Sequence, residues 1–192
     1  DGTNLYVSDS SNHTIRKIVI STGVVTTIAG TAGSSGTTDG TGTAARFNRP
    51  RGLTTDGTNL YVSDTANNKI RKIVIDNGTV TTLAGPPAGT TTAGDTDNDT
   101  ASNARFKNPF GMTTDGINLF VSDVGNNKIR KIVISSGAVT TIAGPPAGTT
   151  TSGDTDNDTA SNARFNTPYG ISSDGTYIYV GDYGNNKVRR IE

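Results

Sequence analysis

Short runs in which apolar and polar residues alternate recur along the chain, and each run ends in turn residues. One full unit carries such runs at 51–55 (RGLTT), 59–64 (NLYVSD), 69–75 (KIRKIVI) and 79–85 (TVTTLAG). Alternation with a period of two is typical of strands with one buried face. The dipeptides Asp56-Gly57 and Asn77-Gly78 favour tight hairpins. The pattern therefore predicts a four-stranded antiparallel meander.

The meander repeats along the whole sequence. Close copies of the block at 56–75 begin at Asp1, Asp115 and Asp174, with spacings of 55, 59 and 59 residues. We predict a single segment, 1–192, built of the units 1–46 (partial), 47–105, 106–164 and 165–192 (partial), with fourteen strands in all. The first unit lacks a first strand and the last unit lacks a fourth strand.

A single meander of this kind would leave apolar side chains on both faces. Leu60 and Val62 point to one face, and Tyr61 points to the other. Packing such sheets face to face around an axis buries both sides, which predicts an all-β fold of the β-propeller type. We expect the chain to supply about 3.5 blades of a larger ring or assembly, in which incomplete terminal blades could also mediate self-association. A parallel β-helix is the alternative, although its coils are shorter.

Composition supports a β-rich chain and argues against a nucleic acid or a membrane as its partner. Sixteen of the seventeen acidic residues are Asp, which favours turns over helices, and the seventeen basic residues balance them. There is no cysteine and no apolar run of about 20 residues that could span a membrane. The basic residues of the third strands, such as Arg71 and Arg130, stand beside Val and Ile rather than aromatic platforms, which argues against nucleic acid. We expect their stems to pack on neighbouring strands and their charged heads to stay in water.

Long polar inserts follow the fourth strands at 85–103 and 144–162, and a shorter one lies at 30–45. Each insert leads into Ala-Arg-Phe, whose Phe we interpret as an apolar plug between sheets. In a meander, the insert and the second-to-third loop emerge on the same side, so we place a protein or glycan ligand there. The candidate binding-face residues are the loop residues Asn12, His13, Asn67, Asn68, Asn126, Asn127, Asn185 and Asn186.

The two longer inserts carry carboxylates at alternate positions, an arrangement that can gather oxygen ligands for Ca²⁺. The candidate ligands are Asp95, Asp97, Asp99, Asp154, Asp156 and Asp158. A helix-loop-helix calcium site would have Gly at its sixth position and Glu at its twelfth, where Thr100 and Phe106 stand here. A solvated loop without any cofactor is the simpler interpretation. The recurring Asp-x-x-Asn pairs, such as Asp64 and Asn67, are interpreted as turn-stabilising groups.

The block that joins the second and third strands resembles the NHL repeat. It reads SDSSNHTIRKI from Ser8, SDTANNKIRKI from Ser63, SDVGNNKIRKI from Ser122 and GDYGNNKVRRI from Gly181. The resemblance implies a propeller, commonly six-bladed, that acts as a binding platform in bacterial surface proteins and in many eukaryotic proteins. Only Asn12-His13 keeps the His of the name, and the inserts lengthen the repeat.

We therefore expect a non-catalytic binding or structural scaffold, part of a larger bacterial protein that is extracellular or at the cell surface. His13 is the single histidine, and no Gly-x-Ser-x-Gly elbow is present, so an activated nucleophile is poorly represented. Two alternatives stay open. One is a calcium-assisted propeller hydrolase or lyase, and the other is a component of a surface filament or oligomer.

Overall fold

The computed structural model describes residues 1–157 and 159–192, in which all regular structure is strands and short 3₁₀ helices. The strands are β1 (Asn4–Asp9), β2 (Thr14–Val19), β3 (Val25–Ala29), β4 (Gly40–Thr41), β5 (Pro50–Thr55), β6 (Asn59–Asp64), β7 (Lys69–Val74), β8 (Thr79–Ala84), β9 (Pro109–Thr114), β10 (Asn118–Asp123), β11 (Lys128–Val133), β12 (Val139–Ala143), β13 (Pro168–Ser173), β14 (Ile178–Asp182) and β15 (Lys187–Ile191). The 3₁₀ helices are Ser10–Asn12, Gly42–Ala44, Thr65–Asn67, Ala101–Asn103, Val124–Asn126, Ala160–Asn162 and Tyr183–Asn185. None of the described helices is long and apolar enough to cross a membrane.

The strands form four antiparallel sheets, which we call blades 1 to 4. Blade 1 contains β1–β3, blade 2 contains β4–β8, blade 3 contains β9–β12 and blade 4 contains β13–β15. Neighbours within each meander are consecutive in sequence, and every named pairing is antiparallel. The predicted propeller blades are therefore confirmed, and the parallel β-helix is excluded. The strand bounds predicted for the full unit agree with β5–β8 to within one residue at each end.

Apolar side chains fill the spaces between consecutive blades. Leu60 and Val62 of blade 2 pack with Ile15 of blade 1, whereas Tyr61 belongs to the cluster shared with blade 3. Phe47 lies in the first of these spaces and is fully buried, as are its counterparts in the next two spaces. Burying one such side chain contributes about 1.5–3 kcal/mol. The predicted role of the Phe as a plug is confirmed.

The first insert contributes a strand that the alternation of residues did not predict. Its residues Gly40 and Thr41 form β4, which pairs with β8 along the outer edge of blade 2. The second insert makes a single bridge to the outer strand of blade 3, between Asn98 and Val139. The described residues thus form fifteen strands rather than fourteen. Each of these inserts covers a strand edge that would otherwise be open to pairing with another chain.

Candidate binding surface

The inserts and the second-to-third loops meet on one side of the molecule. In blade 2, the 3₁₀ helix Thr65–Asn67 ends at Asn68, which adopts a left-handed φ of 55° that Asn tolerates well. Asn67 donates to the carbonyl oxygen of Gly36 in the first insert at 2.6 Å. Asn68 donates to that of Thr91 in the second insert at 2.8 Å. We call the surface formed by the inserts and these loops the insert side.

A buried network fixes the second-to-third loops of blades 2, 3 and 4 beneath the insert side. One oxygen of Asp64 accepts the backbone N–H of Asn48 at 2.7 Å, and the other accepts Asn67 at 2.8 Å and Arg71 at 2.8 Å. The guanidinium of Arg71 also lies over the Phe47 ring, 5.1 Å from its centroid. Asp123 and Asp182 occupy the same place in their blades. The Asp-x-x-Asn pairs of blades 2, 3 and 4 are thus parts of this buried network.

Arg71, Arg130 and Arg189 of the third strands lie inside the molecule, which corrects for these three the expectation that the charged heads stay in water, whereas Arg190 is exposed as expected. The side chains of Arg71 and Arg130 are fully buried, and Arg189 is 8% exposed. They are buried because each one meets carboxylates within the protein. Burial raises the pKa of Asp123 to about 6, even though the charge of Arg130 acts to lower it.

The alternating carboxylates of the inserts are the other partners of these cations. Asp95 accepts the ammonium of Lys128 at 2.7 Å, and Asp97 accepts Arg130 at 2.7 Å. Asp97 also accepts the backbone N–H of Thr141 at 2.8 Å. Burial tends to raise the pKa of Asp95, but the hydrogen bond and charge of Lys128 hold it below its usual value.

The remaining candidate metal ligands follow the same pattern. In the third insert, Asp154 pairs with Lys187 and Asp156 pairs with Arg189. Asp99 is exposed, and Asp158 lies outside the described residues. Among the residues that the structure describes, no three acidic or histidine side chains converge as a metal site would require.

The predicted binding-face residues divide by exposure. Asn67 and Asn126 are each 1% exposed, and Asn68 is 9% exposed. His13, Asn127 and Asn185 are partly exposed, and Asn12 and Asn186 are exposed. His13 accepts the backbone N–H of Arg49 through Nδ1 at 3.1 Å, as Asn68 and Asn127 accept the N–H groups of their next units. Most of these side chains therefore hold the backbone together and leave little free to meet a ligand.

Sequence reasoning missed a row of one arginine and three aromatic residues, of which three lie at the starts of first strands and Tyr183 lies in the last 3₁₀ helix. Arg51 lies over the Phe110 ring at 4.9 Å, Phe110 packs on Tyr169 with a centroid distance of 4.7 Å, and Tyr169 packs on Tyr183 at 5.1 Å. We call these four residues the aromatic row. The signal was present in the sequence, since the residue between Pro and Gly changes from Arg to Phe to Tyr while its neighbours stay the same.

The opposite side of the molecule consists of closed hairpins. Asp56 accepts the backbone N–H groups of Thr58 at 2.9 Å and Asn59 at 2.6 Å, and it accepts the Tyr61 hydroxyl at 2.7 Å. Burial acts to raise the pKa of Asp56, but these hydrogen bonds outweigh it and lower the pKa to about 2. The polar groups of these turns therefore satisfy one another.

Comparison with known protein sequences finds relatives that carry the same name in three organisms. The chain is 30% identical over 159 residues to NHL repeat-containing protein 2 of Bos taurus, a match that covers 77% of this chain and 21% of that protein. The Homo sapiens protein of the same name is 38% identical over 81 residues, covering 41% of this chain and 11% of that protein. The chain thus spans about a fifth or less of the length of these relatives. No protein-family model matches it.

Solved structures share the fold over nearly the whole chain. A protein of unknown function from Bacteroides thetaiotaomicron is 27% identical with a TM-score of 0.76, covering 98% of this chain and 44% of that one. An auxiliary nutrient binding protein from the same organism is 21% identical with a TM-score of 0.73, covering 98% and 45%. A streptogramin B lyase is 13% identical with a TM-score of 0.60, covering 100% and 48%. The last two similarities concern the fold alone.

Proposed function

Because the chain belongs to the NHL-repeat family of β-propellers, we propose that it is a non-catalytic binding and scaffold module that holds a protein or glycan on its insert side. The observation that carries this proposal is the asymmetry between the two sides. Inserts and loops interlock on one side, whereas tight, self-satisfied hairpins form the other. Ligand-binding residues concentrate on loops that a rigid scaffold positions. A bacterial, extracellular or cell-surface setting belongs to the same proposal.

The use made of the polar side chains supports a non-catalytic role. Asp95 and Asp97 already accept Lys128 and Arg130, so we do not propose the inserts as a calcium site. The same Asp, Asn and Arg recur in successive blades with the same partners. A catalytic centre needs unlike groups gathered at one place, and repetition of one structural network does not supply that.

A blocking experiment tests which side binds. The sequence contains no cysteine, so a single cysteine can carry a polyethylene glycol maleimide at a chosen point. Ala93→Cys lies on the exposed second insert, and Thr58→Cys lies on an exposed hairpin of the opposite side. Ligands are first selected from a glycan array and from a random peptide display library with the unmodified protein.

We expect polyethylene glycol at position 93 to block the selected ligands and the same group at position 58 to leave binding intact. Each cysteine variant without the polymer is its own control for the substitution. Blocking from position 58 alone, or an absence of selectable ligands in both collections, would contradict the proposal.

Self-association is a second candidate, favoured by apolar side chains on the outward faces of blades 1 and 4. Leu5 is 56% exposed and Val188 is 77% exposed, whereas their counterparts Leu60 and Ile70 in blade 2 are fully buried. Sedimentation of the 192-residue chain across a concentration series tests it. We expect Val188→Asp to abolish any concentration-dependent growth in mass, and a monomer at all concentrations would exclude self-association.

A further inference from the structure

We propose that the aromatic row is a docking site for an acidic, extended peptide segment of a protein partner. This inference rests on the proposed function and adds the location and the ligand chemistry. It is carried by the geometry of the row, by its exposure and by the charges beside it.

The row is held on a rigid support. The first strands of successive blades approach so closely that a Cβ atom on Gly52 would lie 1.9 Å from the carbonyl oxygen of Phe110, and one on Gly111 would lie 2.2 Å from that of Tyr169. Only glycine allows this approach. The side chains of Arg51, Phe110 and Tyr169 therefore project from strand starts whose relative positions are fixed, which reduces the entropy lost on binding.

The row is also where the repeats differ from one another. The plug Phe and the buried Asp are the same in units 2, 3 and 4, but the position of Arg51 becomes Phe110 and then Tyr169. Likewise Thr65 becomes Val124 and then Tyr183, whose side chain is 68% exposed. Packing against the neighbouring blade does not require an exposed Tyr. Tyr and Arg are the residue types that dominate binding energy in protein interfaces.

Ring geometry argues for a peptide over a stacked base or sugar. The centroid distances of 4.7 Å and 5.1 Å leave no space for another ring to enter between neighbours, and Arg51 covers Phe110. The neighbouring rings are tilted by 46° and 51° and are not stacked face to face. Aromatic edges carry partial positive charge and attract oxygen acceptors, such as the carbonyl and carboxylate groups of a peptide.

The charges beside the row select an acidic ligand. Arg49, Arg51 and Lys107 are exposed, and within the described part of the chain none of them takes part in an ion pair. Several acidic groups of the same units bind other partners, as Asp97 does with Arg130 and Asp56 does in its hairpin. The zero net charge of the chain thus conceals a local excess of cations.

Selection from a random peptide display library tests the inference. Peptides are enriched on the wild-type chain alone and are then tested on Tyr183→Ala, a change at an exposed side chain that leaves the core intact. Tyr177→Ala is the matched control, because Arg190 lies 4.4 Å from the Tyr177 ring in a second Arg-Tyr pair that is not part of the row. Anisotropy then measures the affinity of each labelled peptide.

We expect the enriched peptides to carry excess Asp and Glu and to bind Tyr183→Ala and Arg51→Ala at least about tenfold more weakly. Affinity should fall as salt is added, and less steeply for Arg51→Ala. Tyr177→Ala should bind like wild type. Peptides without acidic excess, peptides that bind all variants equally, or row-dependent binding of oligothymidylate or a neutral oligosaccharide instead would each overturn the inference.

The two proposals fail in different ways. If polymer at position 93 blocks binding while the row variants do not weaken it, the peptide site is wrong and the binding module stands. If the polymer blocks only from position 58, the insert side, to which Tyr183 belongs, is wrong as the binding face and both proposals fail.

Discussion

The first and second inserts perform the same task with different side chains. Asp39 in the first insert and Asp97 in the second each accept a buried arginine at 2.7 Å, and each also accepts a backbone N–H of the outer strand. At the position two residues earlier, the second insert has Asp95 on Lys128, whereas the first has Thr37, whose hydroxyl accepts Lys69 at 2.9 Å.

This difference between Asp95 and Thr37 shows the role of the alternating aspartates in the inserts. In an extended segment, residues two apart point the same way, so Asp95 and Asp97 reach two cations that are also two apart on β11. Lys69 is fully buried without a carboxylate directly beside it, and burial together with the charge of Arg71 lowers its pKa. The inserts are thus charge-matched covers for the third strands.

The largest loss of stability should come from removing the buried arginine with which each insert pairs, Arg71 for the first insert and Arg130 for the second. Arg130→Met leaves Asp123 buried and without its counter-charge, which should cost about 3–5 kcal/mol of unfolding free energy. Arg71→Met should cost a similar amount because Asp64 is left in the same state. Urea denaturation measures both. A loss below about 1 kcal/mol at either position would show that the carboxylate readily becomes neutral or solvated.

Exchanging Thr37 of the first insert and Asp95 of the second should move the lysine–carboxylate pair from the second insert to the first. Thr37→Asp gives Lys69 a carboxylate and should stabilise the chain by about 1 kcal/mol, whereas Asp95→Thr should cost about 1–3 kcal/mol. Ser35→Asp, an exposed position in the first insert, is the control for added negative charge. Equal effects of Thr37→Asp and Ser35→Asp in urea denaturation would refute a specific pair.

Acid should loosen the contact between the second and third inserts before the contact between the first and second inserts. The pKa of Asp95 is lowered in the folded state, so its stabilising contribution is present above the unfolded value of about 3.9 and is lost as pH falls below it. Gly148 donates its N–H to Asp95, and Gly89 donates its N–H to Thr37, which does not titrate. Hydrogen exchange, corrected for intrinsic rates, should show protection lost at Gly148 before Gly89. Simultaneous loss would indicate global unfolding.

The smallest change in stability is expected at Asp99, the third of the alternating aspartates in the second insert. Asp99 is exposed, so Asp99→Ala should change the unfolding free energy by less than about 0.5 kcal/mol. The comparison is with Asp97→Ala, which removes a partner of Arg130 and of the Thr141 N–H. If both substitutions cost the same in urea, the ion pairs described for the second insert do not contribute to stability.

The features that sequence could predict are those with local causes. Asp56-Gly57 and Asn77-Gly78 specify hairpins from adjacent residues, and the alternation around Tyr61 specifies which side faces which neighbour. The NHL-like block then identified the propeller correctly. Phe47 could be assigned as a plug because it is an isolated large apolar residue at a fixed place in each unit.

Features that depend on distant partners escaped the sequence analysis. Asp95 and Lys128 are 33 residues apart, as are Asp97 and Arg130, and that repeated offset was readable but went unnoticed. The pairing of Gly40 with Val80 has no local signal, since the insert shows no alternation. The aromatic row assembles from three blades, so no single stretch of sequence displays it.

Each insert and its plug Phe serve the blade that follows them in sequence. This limits how a gene duplication can add blades to the chain. Gly30 follows the last strand of blade 1 and Gly85 follows β8 of blade 2, and the inserts that begin there pair with the next blade, through β4 or the bridge at Asn98. A gene duplication with breakpoints at the codons of Gly85 and Gly144 would copy a cover, its plug and the blade that they serve as one cassette. Breakpoints between the plug and its blade would split that cassette. The buried arginine of the copied blade would then lack the aspartate that the insert supplies.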